Sequence, residues 1–143
     1  MSAQTLKQKI EERIAQSNDN VFLTREFADL AGASQVLRVL RQMITDKKLI
    51  RMGYGVYARA FASRLTDRPV IRCEGGFIAA ARQALDKLGV AWEFTAAQLA
   101  YNEGRSTQVP VNPAVQITGR FLRKLKVGKV ELRIERDARR TRH

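Results

Sequence analysis

The sequence predicts an α+β fold in two small units, residues 1–63 and 64–136, followed by a basic tail at 137–143. Three observations carry this. Apolar residues recur at helical spacing over residues 6–14 and again over 36–44, with a glycine-centred pair of β-prone runs after them. Residues 62–69 are polar and end in Pro69, which disfavours helix in the residue before it, so the chain divides there. Beyond that point, two helical segments and several short alternating runs predict a second mixed unit whose strands form an antiparallel sheet.

In the first unit, Leu6, Ile10 and Ile14 recur every four residues among Lys7, Lys9, Glu11, Glu12 and Arg13, which makes a narrow-striped amphipathic helix. Ser17-Asn18-Asp19-Asn20 ends it. Val21-Phe22-Leu23 is short and apolar, and Thr24 is a suitable cap for a second helix, Arg25 to Leu30, closed by Gly32. A third helix is expected from Ser34 to Lys47, with Leu37, Leu40 and Ile44 buried and Gln35, Arg38, Val39 and Gln42 on the opposite arc. Leu49 to Ala58, interrupted by Gly53-Tyr54-Gly55, is a tight hairpin, because glycine tolerates the positive φ such turns need. Helix, short helix, helix and hairpin form the element order of a winged helix-turn-helix, whose third helix enters the major groove while the hairpin reaches flanking backbone or minor groove.

In the second unit, Phe77 to Leu88 is helical and Gly89 is its left-handed cap. Val90, Trp92 and Phe94 alternate with Ala91 and Glu93 as a half-buried strand. Thr95 and Gln98 have capping-box spacing for a short helix toward Tyr101. Ala114 to Thr118 is a further strand. Phe121 to Arg136 is a hairpin turning at Gly128-Lys129, with Val127 opposite Val130, Leu125 opposite Leu132 and Lys126 opposite Glu131 as an ion pair. Lys124 then faces Arg133. Like charges directly opposite are unfavourable, and either a bound anion relieves them or both side chains splay into solvent.

Composition narrows the function. At 143 residues, 45% hydrophobic and 28% charged, the chain is ordinary globular material. A single cysteine, Cys73, forbids an internal disulfide and is expected to be a buried structural thiol. The one histidine is His143, and the carboxylates show no tight clustering, so neither a Cys–His nucleophile nor a metal-dependent nuclease is supported. The expectation is a non-enzyme with no cofactor and no metal. No run approaches a membrane span and no signal-peptide pattern is present, so a cytoplasmic, non-membrane protein is expected. The unusual property is charge: 26 Lys and Arg against 14 acids give +12 and a pI near 10.7. Both units are basic, +4 over residues 1–63 and +8 over the rest. Such an excess concentrates polyanions around the protein, and nucleic acid is the commonest of them.

These considerations select candidate residues. Base contacts are expected from Ser34, Gln35, Arg38, Val39 and Gln42, since Gln suits adenine, Arg suits guanine and Val suits a thymine methyl. Backbone contacts are expected from Thr24 and Arg25, at the start of the second helix, and from Arg51 and Tyr54 on the hairpin. Lys124, Lys126 and Arg133, with Arg139, Arg140 and Arg142 of the tail, are secondary phosphate-contact candidates. A polar helix face is also commonly just solvated, and a basic surface can instead dock an acidic partner protein.

The stretch Leu37–Tyr57, LRVLRQMITDKKLIRMGYGVY, resembles the third helix and wing of the AbiEi-type antitoxin family of type IV toxin–antitoxin systems. Ser106 to Pro110 (STQVP), Arg123 to Gly128 (RKLKVG) and Val130 to Arg133 (VELR) are similar to small AbiEi-like proteins of mobile elements. Arg105 stands before STQVP where an apolar residue is expected, and the segment itself reads as a structural loop. The resemblance implies an antitoxin that binds its own promoter in double-stranded DNA and represses its operon, opposite a nucleotidyltransferase-like toxin. A homodimer on an inverted repeat and two monomers on adjacent repeats satisfy this docking mode equally.

Overall fold

The computed structural model describes residues 4–136 apart from 109, 111 and 122. Helix α1 (Leu6–Gln16) starts where Thr5 and Gln8 satisfy each other: Thr5 Oγ1 accepts from the Gln8 amide at 3.1 Å and Gln8 Oε1 from the Thr5 amide at 2.8 Å. Its stripe, Ile10 and Ile14, is buried. Strand β1 (Val21–Leu23) follows, then a single 3-10 turn (Thr24–Phe27), helix α2 (Ala33–Thr45) and the strands β2 (Leu49–Gly53) and β3 (Val56–Ala62).

The second helix expected over Arg25 to Leu30 is thus only that 3-10 turn. Glu26 reaches back to take the Leu23 amide at 2.6 Å, and the Ala28 and Leu30 amides go to the Arg25 and Phe27 carbonyls three residues earlier. Tighter three-residue bonding uses the backbone groups that an α-helix would need. Gly32, in extended conformation, then begins α2.

Strand β3 is central, flanked by β1 and β2, and β4 (Pro69–Ile71) pairs with its far end, all antiparallel. The β2–β3 hairpin turns at Tyr54-Gly55, with Gly55 at φ +69° and an irregularity between Arg51 and Gly53. Side chains alternate across this sheet. Phe22, Leu49 and Tyr57 join α1, Phe27 and α2 in one apolar cluster, while Val21, Leu23, Met52, Val56 and Ala58 join a second on the opposite face. With both faces covered, β1 has no polar position, which explains its unbroken apolar run.

The second cluster is completed by α3 (Gly76–Lys87), through Ala80, Ala81, Ala84 and Leu85, and by residues further along the chain. Those lie on or beside β5 (Trp92–Glu93), α4 (Ala96–Asn102), β6 (Ala114–Ile117), β7 (Lys126–Val127), β8 (Val130–Glu131) and β9 (Arg133–Arg136). The architecture is mixed α+β in three layers: α1 and α2, the four-stranded sheet, then α3 with the C-terminal strands. Thr95 caps α4 as its spacing predicts, its Oγ1 accepting from the Gln98 amide at 3.2 Å.

The expected Phe121–Arg136 hairpin is shorter than its alternation suggests. Lys126 pairs with Glu131 and Val127 with Val130, and the Leu132 amide donates to the Leu125 carbonyl at 2.8 Å. There the pairing changes partner: the Arg133 amide donates to the Pro113 carbonyl, and β9 runs parallel to β6. The sheet β5-β6-β9 is therefore mixed rather than antiparallel, since only β5 and β6 oppose each other. Residues 118–132 supply the long crossover that a parallel pair requires.

Polar ties lock the layers together. Gln83 Oε1 accepts from the Asn20 and Val21 amides at 2.7 and 2.8 Å, and Lys87 Nζ lies 2.9 and 2.8 Å from Asp19 and Glu26. Residues 62–69 form a tight turn between β3 and β4, closed by the Ser63 amide on the Arg68 carbonyl at 2.9 Å. No helix of the described residues is long and apolar enough to cross a membrane.

Candidate nucleic-acid interface

Helix α2 buries Val36, Val39, Leu40 and Met43. The ridge opposite them is Ser34, Arg38, Arg41 and Thr45, spaced four, three and four residues apart, and all four are exposed along with Gln35 and Gln42. Ser34, Gln35, Arg38 and Gln42 thus stand on the solvent side as expected. Val39 does not: it is 8% exposed and packs in the cluster with Ile10, Phe22 and Phe27. Its assignment to a thymine methyl is overturned.

The helix is rotated by about 80° from the sequence expectation, taking 3.6 residues per turn. Its apolar arc is wide, and α1 with Phe27 covers the side that carries Val39, leaving Leu37 and Ile44 half-buried at the other edge. The same rotation brings forward Arg41, which the wheel centred on Leu40 overlooks. The signal for it lies in the tight spacing of Val36, Val39, Leu40 and Met43, whose opposite side contains Arg41.

The backbone candidates divide. Arg51 and Tyr54 are exposed on the β2–β3 hairpin, Tyr54 at 77%, and face α2 across a groove of about 360 Å³ floored by Leu37 and Tyr57. Thr24 lines the same groove but caps no helix. Its amide donates to the Gly55 carbonyl at 3.1 Å, and its hydroxyl is buried without a hydrogen-bond partner among the described residues. Arg25 turns away altogether, donating to the Lys87 carbonyl at the end of α3 at 2.6 Å. With the second helix reduced to one turn, the phosphate-binding helix start expected at Thr24 and Arg25 is absent.

Of the secondary candidates, Lys124 and Lys126 are exposed beside the β2–β3 hairpin and share a second groove with Arg51 and Tyr54. Arg133 is elsewhere: its Cα partner is Ala114, so the like-charge opposition to Lys124 does not arise. Lys126 and Glu131 are register partners, yet no ion pair forms between them among the described residues. Arg139, Arg140 and Arg142 lie outside the described residues.

Charge is segregated over this surface. Lys7 pairs with Asp46, Lys48 with Glu11, Arg13 with Asp29 and Lys87 with Asp19 and Glu26, at 2.7–2.9 Å. Within the described residues, Arg38, Arg41, Arg51, Lys124 and Lys126 have no carboxylate within ion-pair distance. Arg59 has a structural task instead: it donates to the Asp19 and Ser17 carbonyls at 2.8 and 2.7 Å and to that of Ile14, and it lies over the Phe22 ring. Burial lowers its affinity for its proton. Cys73 is half-buried rather than fully enclosed, and desolvation pushes its thiol up from the ordinary value.

The fold and this face define a mixed α+β protein with a cation-rich, carboxylate-poor side. The chain belongs to a family of unknown function, DUF6088, which it matches over residues 9–140. No curated protein matches it.

Proposed function

We propose that the protein binds duplex DNA as a winged helix-turn-helix repressor of antitoxin type. One observation carries the reading: the outer side of α2 is uncovered and offers Ser34, Gln35, Arg38, Arg41 and Gln42 without a carboxylate among them. Guanidinium and carboxamide groups are the side chains that pair bidentately with guanine and adenine in the major groove. The β2–β3 hairpin, with Arg51 and the projecting Tyr54, is the wing that holds the flanking phosphates. The net charge of +12 supplies the sequence-independent attraction. The AbiEi-like segments favour the protein's own promoter as the target, in the cytoplasm, and a nucleotidyltransferase-like toxin as the product held in check.

Fluorescence anisotropy with the DNA upstream of its own gene, against random duplex at moderate salt, tests this. Preference for the upstream DNA is the expected result, and equal binding to both would remove the repressor reading.

A second reading, a module that docks a partner protein, is favoured by one apolar feature. Phe61 and Val70 are cross-strand partners on β3 and β4, both exposed, and Leu65 at the connecting turn is 95% exposed. Apolar side chains grouped on a hairpin mark protein contact surfaces. A neighbouring gene product, or a second copy of the chain, that co-elutes with the wild type but not with Leu65→Ser would support it.

A further inference from the structure

We infer that the β7–β8 hairpin is a second wing, and that with the β2–β3 hairpin it grips the phosphate backbone of duplex DNA in the groove between them. This rests on the duplex-binding reading and extends it to a part of the chain outside the helix-turn-helix order.

The two hairpins meet at Gly53. A Cβ there would lie 2.7 Å from the Lys124 carbonyl oxygen and 3.2 Å from Leu125 Cδ2, so only glycine admits this approach. Leu125 is 1% exposed and packs in the cluster that also holds Met52. The segment entering β7 is therefore seated against β2 by Leu125, which fixes the backbone from which its neighbours project.

Those neighbours are Lys124 and Lys126, both exposed. With Arg51 and Tyr54 they line a groove of about 310 Å³, and among the described residues no acidic one lines it. Three cations and a phenol thus converge from segments some seventy residues apart in sequence, and no described carboxylate lies within ion-pair distance of them, Glu131 opposite Lys126 included. Bringing like charges together costs energy in the free protein, and a polyanion laid along the groove relieves it. Phosphates contacted there position the duplex without reading its sequence. A second row of cations next to the β2–β3 hairpin lengthens the backbone track that starts at Arg51.

The test is the salt dependence of duplex binding by the full chain. Each neutralised phosphate contributes about 0.9 to the slope of log affinity against log salt. The double substitution Lys124→Gln, Lys126→Gln, at two exposed positions, should lower that slope by roughly 1.5–2 and so weaken binding by about thirty- to a hundred-fold near 0.1 M salt. The loss should be equal on upstream and random duplex. Arg105→Gln, which removes a cation already paired with Glu103, should leave the slope unchanged. Wild-type binding with an unaltered slope in the double variant overturns the second wing and leaves the α2 interface standing. A wild type that binds no duplex removes both.

Discussion

Arg38 and Val39 are adjacent on α2 and have opposite environments, one exposed and the other in the core. Their substitutions should separate accordingly. Arg38→Ala should cost about 1–3 kcal/mol in binding to the upstream DNA and relax preference at one base step, as base contacts do. Val39→Ala should leave that preference intact and cost about 1–2 kcal/mol of stability, measured by urea unfolding, because it opens a cavity against Phe27 and Ile10. A specificity change in Val39→Ala would contradict its burial. Arg59 supports a different expectation. It satisfies three carbonyls where α1 ends, so Arg59→Met should destabilise by about 2–4 kcal/mol, since bonds from a charged donor are the stronger ones. The measurement is again the unfolding midpoint, and DNA preference should be unchanged.

At the scale of elements, several outlines were legible from the chain. Thr95 and the helical spacing located α1, α2, α3 and α4 to within a few residues, because caps and amphipathic periods are local properties. The Gly-Tyr-Gly turn and Gly128-Lys129 located the β2–β3 and β7–β8 hairpins. Strand β4 was not legible, because residues 62–69 read as a boundary between units, and two further features were not. The 3-10 turn depends on Glu26 taking the Leu23 amide, and the change of partner at Arg133 depends on the Pro113 carbonyl being near. Neither is encoded in the periodicity of its own segment. The seating of one hairpin on the other is non-local and yields a prediction. Gly53→Val places side-chain carbon against the Lys124 carbonyl, so it should cost about 1–3 kcal/mol of stability as an overpacked contact. Calorimetry would register the lower melting temperature, and a melting temperature equal to wild type would show that the hairpins separate freely.

For the whole molecule, the second half of the chain covers the inner face of the sheet through α3 and leaves the outer side of α2 open. Glu11, Asp19, Glu26, Asp29 and Asp46 are held in ion pairs with Lys48, Lys87, Arg13 and Lys7, and the arginines on the outer side of α2 have no such partner among the described residues. One such pair gives the expected response to acid. Arg13 donates to Asp29 at 2.7 and 2.9 Å, and this bond holds the Asp29 carboxyl below its usual value. A carboxyl lowered in the folded state adds stability that is present above the ordinary carboxylate range and is lost as pH falls through the lowered value. Wild-type stability should therefore fall between neutral pH and pH 3 by slightly more than that of Asp29→Asn. Identical pH profiles would show that the pair is screened out by solvent.

By itself the sequence determined the basic character of the protein, the positions of α1 to α4 and of the β2–β3 and β7–β8 turns, and most of the polar residues on α2. Charge, capping and hydrophobic period are properties of a segment and need no neighbours. Which way α2 faces was decided only by packing, because its apolar arc is wide enough for more than one orientation and the position of α1 and Phe27 selects among them. The meeting of Lys124 and Lys126 with Arg51 was likewise decided by the tertiary structure. It arises from a glycine on one hairpin and a buried leucine on the other, and no local pattern joins those two positions.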